Sequence, residues 1–322
     1  MDFKAISAAV ETDFQQVNDF IFKQLHTHVP LIKEIGNYII DSGGKRLRPL
    51  VCLLSARALG YEGHKHVEIA AVVEFLHTAT LLHDDVVDMS GMRRGRATAN
   101  AQWGNAPSVL VGDFLYSRSF EMMVELGSMP VMKILSQATR IIAEGEVLQL
   151  SKVRDASTTE ATYMEVIRGK TAMLFEASTH SAALLAGGNS QQAEALRVFG
   201  DHLGVAFQLM DDLLDYRGDA EALGKNVGDD LAEGKPTLPL IHAMREGTPA
   251  QAELVRKAIQ QGGSQDLEGI RAAVEAAGSL DYTAQLARDY AERAIKCLDA
   301  LPAGMYRDAL TQLTRFAVAR SA

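Results

Sequence analysis

The chain has 322 residues, 47% of them hydrophobic, with 32 Lys and Arg against 41 Asp and Glu for a formal net charge of −9. That is ample for a buried core in one large domain or two ordinary ones, and it marks a globular protein. The acid excess and the lack of any Lys/Arg-rich run argue against a general nucleic-acid partner, so an anionic substrate needs locally gathered basic residues.

The N-terminus, MDFKAISAAVETDFQQ, carries acids and lacks a basic region followed by an apolar core, so no signal peptide is expected. Apolar residues recur at three- and four-residue spacing, alternating Val/Ile/Thr segments are lacking, and only eight prolines interrupt, which predicts an all-α chain. Helices are expected first over residues 5–24, 30–41, 47–59 and 65–89. The last is apolar nearly all round, yet Glu74 and His77 interrupt it well before the roughly 20 residues needed to cross a bilayer. Further helices are expected over 107–126, 130–153, 159–186, 190–217, 232–245, 250–261, 266–277, 279–299 and 304–319, separated by Gly- and Pro-containing breaks. No linker or low-complexity tract divides them. The expected architecture is therefore a single-domain helical bundle over 1–322, with 65–89 and 190–217 at its centre and the charged, Ala-rich later helices outside. Cys52 and Cys297 are far apart and lack metal spacing, so free thiols in a reducing, cytoplasmic setting are expected.

The two central helices end in matching clusters, Asp84-Asp85-Val86-Val87-Asp88 and Asp211-Asp212-Leu213-Leu214-Asp215. On a helix the carboxylates at i and i+4 share a face and the i+1 carboxylate flanks them, making an oxygen-rich patch. Carboxylates this close, among Val and Leu, repel one another and are costly to desolvate, so a cation should compensate. Mg2+ is the natural candidate, because it takes oxygen ligands and shares its coordination with substrate phosphate. Three basic groups suit the anionic partner of such a site: Gly43-Gly44-Lys45-Arg46-Leu47-Arg48-Pro49, Arg93-Arg94-Gly95-Arg96, and Lys170 in Gly169-Lys170-Thr171 with Lys225 and Lys235 flanking Asp229-Asp230. Arginine grips phosphate oxygens bidentately and lysine supplies a movable charge.

GGKRLRP, LLHDDVVD followed by MRRG, GKT, and FQLMDDLLD followed by GKNVGDDLAEGKPTLP occur in the order found in trans-prenyltransferases. The chain resembles the long-chain polyprenyl diphosphate synthases, bacterial octaprenyl-forming members above all, over essentially its full length. The resemblance implies an isoprenoid-synthase bundle with a central cavity that joins isopentenyl diphosphate repeatedly to an allylic diphosphate such as farnesyl diphosphate, for quinone side chains. It implies that Asp84, Asp85, Asp88, Asp211, Asp212 and Asp215 hold three Mg2+ on the allylic diphosphate, with Arg93, Lys170, Lys225 and Lys235 adding charge. Lys45, Arg48, His77 and Arg94 match the isopentenyl diphosphate site, and Thr171 and Gln208 match positions beside the allylic cation. A homodimer follows from the same likeness, with at most transient membrane contact for product release.

Product length should depend on what lies one turn deeper than Asp84, where Ala79 and Thr80 are small and leave a shaft open. Shorter-chain relatives commonly carry bulky aromatics there. Phe120, Met122 and Met123, with Leu135 on the next helix, are candidates for its floor. Arg96 reads equally well as a surface residue, and Asp219, Asp229 and Asp230 as loop caps. His83-Asp84 resembles the metal pair of HD phosphohydrolases, but the further histidine ligands of that fold are lacking. Two rival functions remain open: a terpene cyclase, which has no need of a second diphosphate set at Lys45, Arg48 and His77, and a non-catalytic regulatory subunit of a prenyltransferase heteromer, a class that tends to lose one aspartate motif.

Overall fold

The computed structural model describes residues 3–217, 228–262 and 266–319. In chain order it runs α1 Phe3–Ala8, α2 Glu11–Gln24, α3 Pro30–Asp41, α4 Leu47–Ala58, α5 Lys65–Val87, a hairpin of β1 Met92–Arg93 and β2 Arg96–Ala97, α6 Ala99–Trp103, α7 Asn105–Leu126, α8 Met129–Lys152, α9 Glu160–Ile167, a π-turn Arg168–Ala172, α10 Met173–Leu185 and α11 Ser190–Arg217. Helices Asp229–Ala232, Leu238–Glu246, Pro249–Gln261, Leu267–Ala276, Ser279–Cys297 and Met305–Val318 follow. Among the described residues the hairpin strands are the only β-structure, as the spacing of apolar residues predicted.

The differences from expectation are local. The expected helix over 5–24 is two, because Val10 adopts a non-helical φ of −131°. The expected loop between 89 and 107 contains the hairpin and α6, whose N-cap Thr98 accepts the Ala101 N–H. Residues 159–186 are interrupted by the π-turn. The expected helix over 232–245 starts at Leu238, after a stretch holding Pro236, and Pro239 occupies its first turn.

Contacts divide the chain into two compact units, each discontinuous in sequence: residues 1–139, 174–200 and 297–313, and residues 140–173, 201–296 and 314–322. In the first unit α5 packs against α2, α4 and α7, which explains why it is apolar on nearly every face. Ile69, Val72, Val73, Phe75, Ala79 and Leu82 are fully enclosed there. One polar knot ties three of these helices together: Arg57 of α4 donates from Nε and Nη2 to Asp13 of α2 at 2.7 and 2.6 Å, and the Asp13 carboxylate lies 3.1 Å from His66 of α5. In the second unit Tyr163, Leu209, Leu213, Tyr216, Leu238, Ile241, Val255 and Ile270 form one continuous core, each large side chain contributing about 1.5–3 kcal/mol of burial. No helix among the described residues is long and apolar enough to cross a membrane.

Candidate active site

The expected site residues fall into one set per unit. In the first unit the aspartate motif occupies the final turn of α5, with Asp88 as its C-cap. A helix C-terminus carries the negative end of the backbone dipole, so carboxylates there are doubly disfavoured without cations. Asp85 is fully buried, and its Oδ1 accepts two bonds from Arg93, Nε at 2.9 Å and Nη2 at 2.7 Å. Its buried Oδ2 has no hydrogen-bond partner. Burial raises the Asp85 pKa, and the Arg93 bond only partly opposes that. An oxygen-seeking cation would satisfy this orphaned atom, so the donor chemistry fits a hard divalent ion. Among the described residues, however, no three His, Cys, Asp or Glu side chains converge in a ready metal cluster.

Arg93 is delivered by the hairpin. Its register pairs Arg93 with Arg96 across the two-residue turn Arg94-Gly95, where φ is 53° and 74°, the paired left-handed conformation that tight hairpins favour. The connection is anchored by Asn100, whose Nδ2 donates to the carbonyls of Asp85 and Ser90 at 3.1 and 3.2 Å. The Tyr38 hydroxyl donates to the Ala97 carbonyl at 2.7 Å, and the exposed Arg96 lies over the Tyr38 ring. Arg96 thus has a packing partner of its own.

Arg94 points the other way and donates to the Gly43 carbonyl. Gly44 adopts φ +122°, and a Cβ there would sit 2.7 Å from the Arg94 guanidinium carbon, so the glycine is what lets the arginine lie against the turn. The exposed Lys45 follows directly. Arg46, with φ 44°, donates to Asn18 and to the Ile40 carbonyl, and Arg48 lies 4.5 Å over the Phe175 ring. Arg48 Nη1 approaches His77 Nε2 at 3.3 Å. Arginine can only donate, so His77 accepts through Nε2 and is the neutral Nδ1–H tautomer. Burial, with Arg48, Arg94 and Arg93 nearby, holds its pKa well below the ordinary range, which agrees.

Glu74, one turn before His77, is buried 3.7 Å from Arg46, and burial raises its pKa against the pull of Arg46, Arg48 and Arg94. Its spacing from His77 could have drawn attention to it. Ala79, Met123 and Leu135 are fully enclosed, and Thr80 is half-buried with its hydroxyl turned back to the His77 carbonyl at 2.7 Å. His83 Nε2 lies near the Val109 carbonyl and Asp113.

In the second unit Lys170 and Thr171 lie on the π-turn, a wide helical turn that recurs at functional sites. Lys170 Nζ donates to Glu146 Oε2 at 2.7 Å and Gln149 Oε1 at 3.0 Å, both on α8. Close backbone approach explains Gly145 on the same helix, since a Cβ there would sit 2.7 Å from the Lys170 backbone nitrogen. The Thr171 hydroxyl donates to Gln208 Oε1 at 2.8 Å, Gln208 Nε2 donates to Asp212 Oδ1 at 2.7 Å, and the Tyr163 hydroxyl donates to Asp212 Oδ2 at 2.5 Å. Asp212 is buried, and burial together with the charge of Asp230 pushes its pKa up to about 8. The half-buried Asp211 and fully buried Asp215 belong to the same end of α11, and Asp215 Oδ2 accepts the Asp230 N–H at 3.3 Å. Lys235 pairs with Glu233 at 2.5 Å. Lys170, Thr171, Gln208, Asp212, Asp230 and Lys235 line one cavity of about 110 Å3. Asp230 therefore lines the same cavity as Lys170 and Asp212, whereas Lys225 and Asp219 lie outside the described residues. Tyr163, Glu146 and Gln149 were missed by sequence reasoning, because nothing in an ordinary amphipathic helix marks them.

Aspartate motifs thus lie at the ends of two long helices on an all-α scaffold, each with basic side chains in the same unit. Residues 29–277 match the polyprenyl synthetase family. The chain is 54% identical over 321 residues to octaprenyl diphosphate synthase of Escherichia coli, covering 99% of both, and 49% identical to an all-trans-nonaprenyl-diphosphate synthase of Rhodobacter capsulatus, again covering 99% of both. A crystal structure of a polyprenyl synthase from Caulobacter crescentus, complexed with calcium and isoprenyl diphosphate, superposes with a TM-score of 0.96 at 46% identity, covering 100% of this chain and 98% of that one. The chain belongs to the polyprenyl synthetase family; it is a prenyltransferase with the all-α isoprenoid synthase fold, and divalent-metal use goes with that family.

Proposed function

We propose that this chain is a long-chain all-trans polyprenyl diphosphate synthase that adds isopentenyl diphosphate stepwise to an allylic diphosphate such as farnesyl diphosphate. The observation that carries the reading is the cradle of Arg94, Arg48 and neutral His77 beside the Gly43-Gly44 turn. It supplies cations for a second diphosphate over and above those paired with the aspartates, and a cyclase acting on one diphosphate has no use for it.

Asp84, Asp85, Asp88, Asp211, Asp212 and Asp215 would hold Mg2+, three ions by family likeness, and the metal would neutralise charge developing on the departing allylic diphosphate. The proposed catalytic domain spans 1–322, and Arg93, Lys170, Lys225 and Lys235 would add positive charge to the leaving group. Lys45, Arg48, His77 and Arg94 hold isopentenyl diphosphate; a neutral imidazole donates a hydrogen bond without adding a charge that would retain product. Thr171 and Gln208 face the allylic carbon with oxygen lone pairs once it ionises. The isopentenyl double bond then attacks, and loss of a proton to the released diphosphate yields an allylic product five carbons longer. Enclosed apolar side chains at Ala79, Met123 and Leu135, with Thr80, set how far it grows.

The working assembly is a homodimer in the cytoplasm, meeting the membrane only to release product into quinone side-chain synthesis. The outward face of α7, where Leu110 and Val124 are 65% and 62% exposed, is the proposed contact. Mass analysis of the product from farnesyl diphosphate, isopentenyl diphosphate and Mg2+ tests the reading, and Asp84→Ala and Asp211→Ala should each abolish turnover of folded protein. Hydrocarbon formed from the allylic substrate alone would establish a cyclase instead, and elongation only with an added partner would establish a regulatory subunit.

A further inference from the structure

We infer that Tyr163 is a positioning residue for the proposed condensation, fixing through Asp212 the orientation of Gln208 and Thr171; the inference rests on that functional reading and names a residue it does not use. Four side chains form an unbranched hydrogen-bond chain within one unit. Tyr163 donates to one Asp212 oxygen at 2.5 Å, Gln208 Nε2 donates to the other at 2.7 Å, and Thr171 donates to Gln208 Oε1 at 2.8 Å.

The direction of the chain follows from donor chemistry. As a proposed Mg2+ ligand Asp212 is a carboxylate and only accepts, so the Gln208 amide presents its NH2 to Asp212, which leaves its carbonyl oxygen toward Thr171 and the cavity. The Thr171 hydroxyl spends its single proton on that carbonyl, so its lone pairs stay available. The two groups thus display oxygen lone pairs, the polarity that favours a carbocation and disfavours a hydride or anion. Reversing the amide would present N–H groups and invert that preference.

What keeps the amide from reversing is the fixed Asp212 carboxylate, and Tyr163 fixes it. The phenol is 5% exposed, and its hydroxyl donates to Asp212 at 2.5 Å. Without it, Asp212 would keep one of the two donors it has here and be free to rotate about its last torsion. Gln208, half-buried and bonded along this chain at both ends of its amide, would follow.

The test uses full-length wild type, Tyr163→Phe, Gln208→Ala and the double variant, with Mg2+, farnesyl diphosphate and isopentenyl diphosphate. Tyr163→Phe should lower kcat about 10- to 100-fold, or about 1.4–2.7 kcal/mol of barrier, with both KM values within about threefold. The double variant should be no slower than Gln208→Ala alone by more than about twofold, because both act on one chain. A second readout is insensitive to partial unfolding: the ratio of farnesol released to chain elongated, corrected for the enzyme-free rate, should rise at least about fivefold in Tyr163→Phe as water competes for a poorly stabilised cation. An unchanged ratio, or kcat losses that multiply in the double variant, overturns the inference. If wild type itself does not elongate, the functional reading fails; if wild type elongates and Tyr163→Phe matches it, only the role of Tyr163 fails.

Discussion

Replacing Gly145 by Ala should damage catalysis out of proportion to stability. The new Cβ would lie 2.7 Å from the Lys170 nitrogen, 2.9 Å from the Gly169 carbonyl carbon and 3.1 Å from the Gly169 Cα, all of them backbone atoms that cannot swing aside. Ordinary contact begins near 3.4 Å, so α8 and the π-turn must separate by about 0.7 Å. Overpacking of this kind costs about 1–3 kcal/mol, while Ala in place of Gly in a helix interior returns about 1 kcal/mol. The two nearly offset, leaving a net loss of about 0–2 kcal/mol and a melting temperature lower by only a few degrees. Position is not offset. Glu146 and Gln149 of α8 hold Lys170 Nζ, so a shifted helix drags that ammonium with it, and a displacement near 1 Å in a catalytic constellation costs on the order of 100-fold. We expect kcat to fall about tenfold or more. Gly169→Ala, whose Cβ would meet its nearest neighbour at 3.2 Å, should be the milder change. Steady-state elongation with thermal melts decides it: kcat for Gly145→Ala within twofold of wild type would falsify the view that this backbone approach sets the π-turn.

Ala79→Tyr should shorten the product by blocking the enclosed space beside α5, and an unchanged product distribution by mass analysis would mean the growing chain runs elsewhere. Arg57→Ala should cost about 3 kcal/mol in urea unfolding at pH 7, because it leaves Asp13 beside His66 without its bidentate partner. Burial raises the Asp13 pKa, but the bonds from Arg57 and His66 outweigh it and the net value is lowered; this stabilisation is therefore present above pH 3.8 and lost as pH falls through the lower folded value. A deficit under about 0.5 kcal/mol at pH 7 would contradict the argument. Asp85→Asn removes the buried Oδ2 charge, so the Mg2+ concentration needed for half-maximal elongation should rise at least about tenfold, an expectation that an unaltered Mg2+ titration would reject.

How legible was all this beforehand? Long apolar helices announced themselves: residues 190–217 form a helix with the expected bounds, and 65–89 ends two residues early. The π-turn did not, because a single inserted residue shifts the phase of the apolar pattern without ending it, and Gly169-Lys170-Thr171 gave its chemistry without its geometry. Nor did the break at Val10, which has no Gly or Pro to mark it. The hairpin was readable in hindsight from Arg94-Gly95, yet two-residue strands are too short to alternate. Among the site residues, those in charged or glycine-rich motifs stood out because such clusters are costly without a ligand. Tyr163, Glu74, Glu146 and Gln149 did not, since each occupies a position where a helix of this kind ordinarily carries an aromatic, a glutamate or a glutamine, and only the partner across the packing interface reveals its task.

The hairpin is short, yet it couples two motifs. Neighbouring residues of the hairpin send their guanidinium groups in opposite directions, Arg93 to the buried carboxylate of Asp85 and Arg94 to the carbonyl of Gly43. A six-residue clip cannot slide toward one ligand without dragging its other arm along, so whatever seats one arginine also seats the other. On the proposed reading, in which these arginines serve two diphosphates, reciprocity requires that any effect of one on the grip of the other be returned by an equal factor.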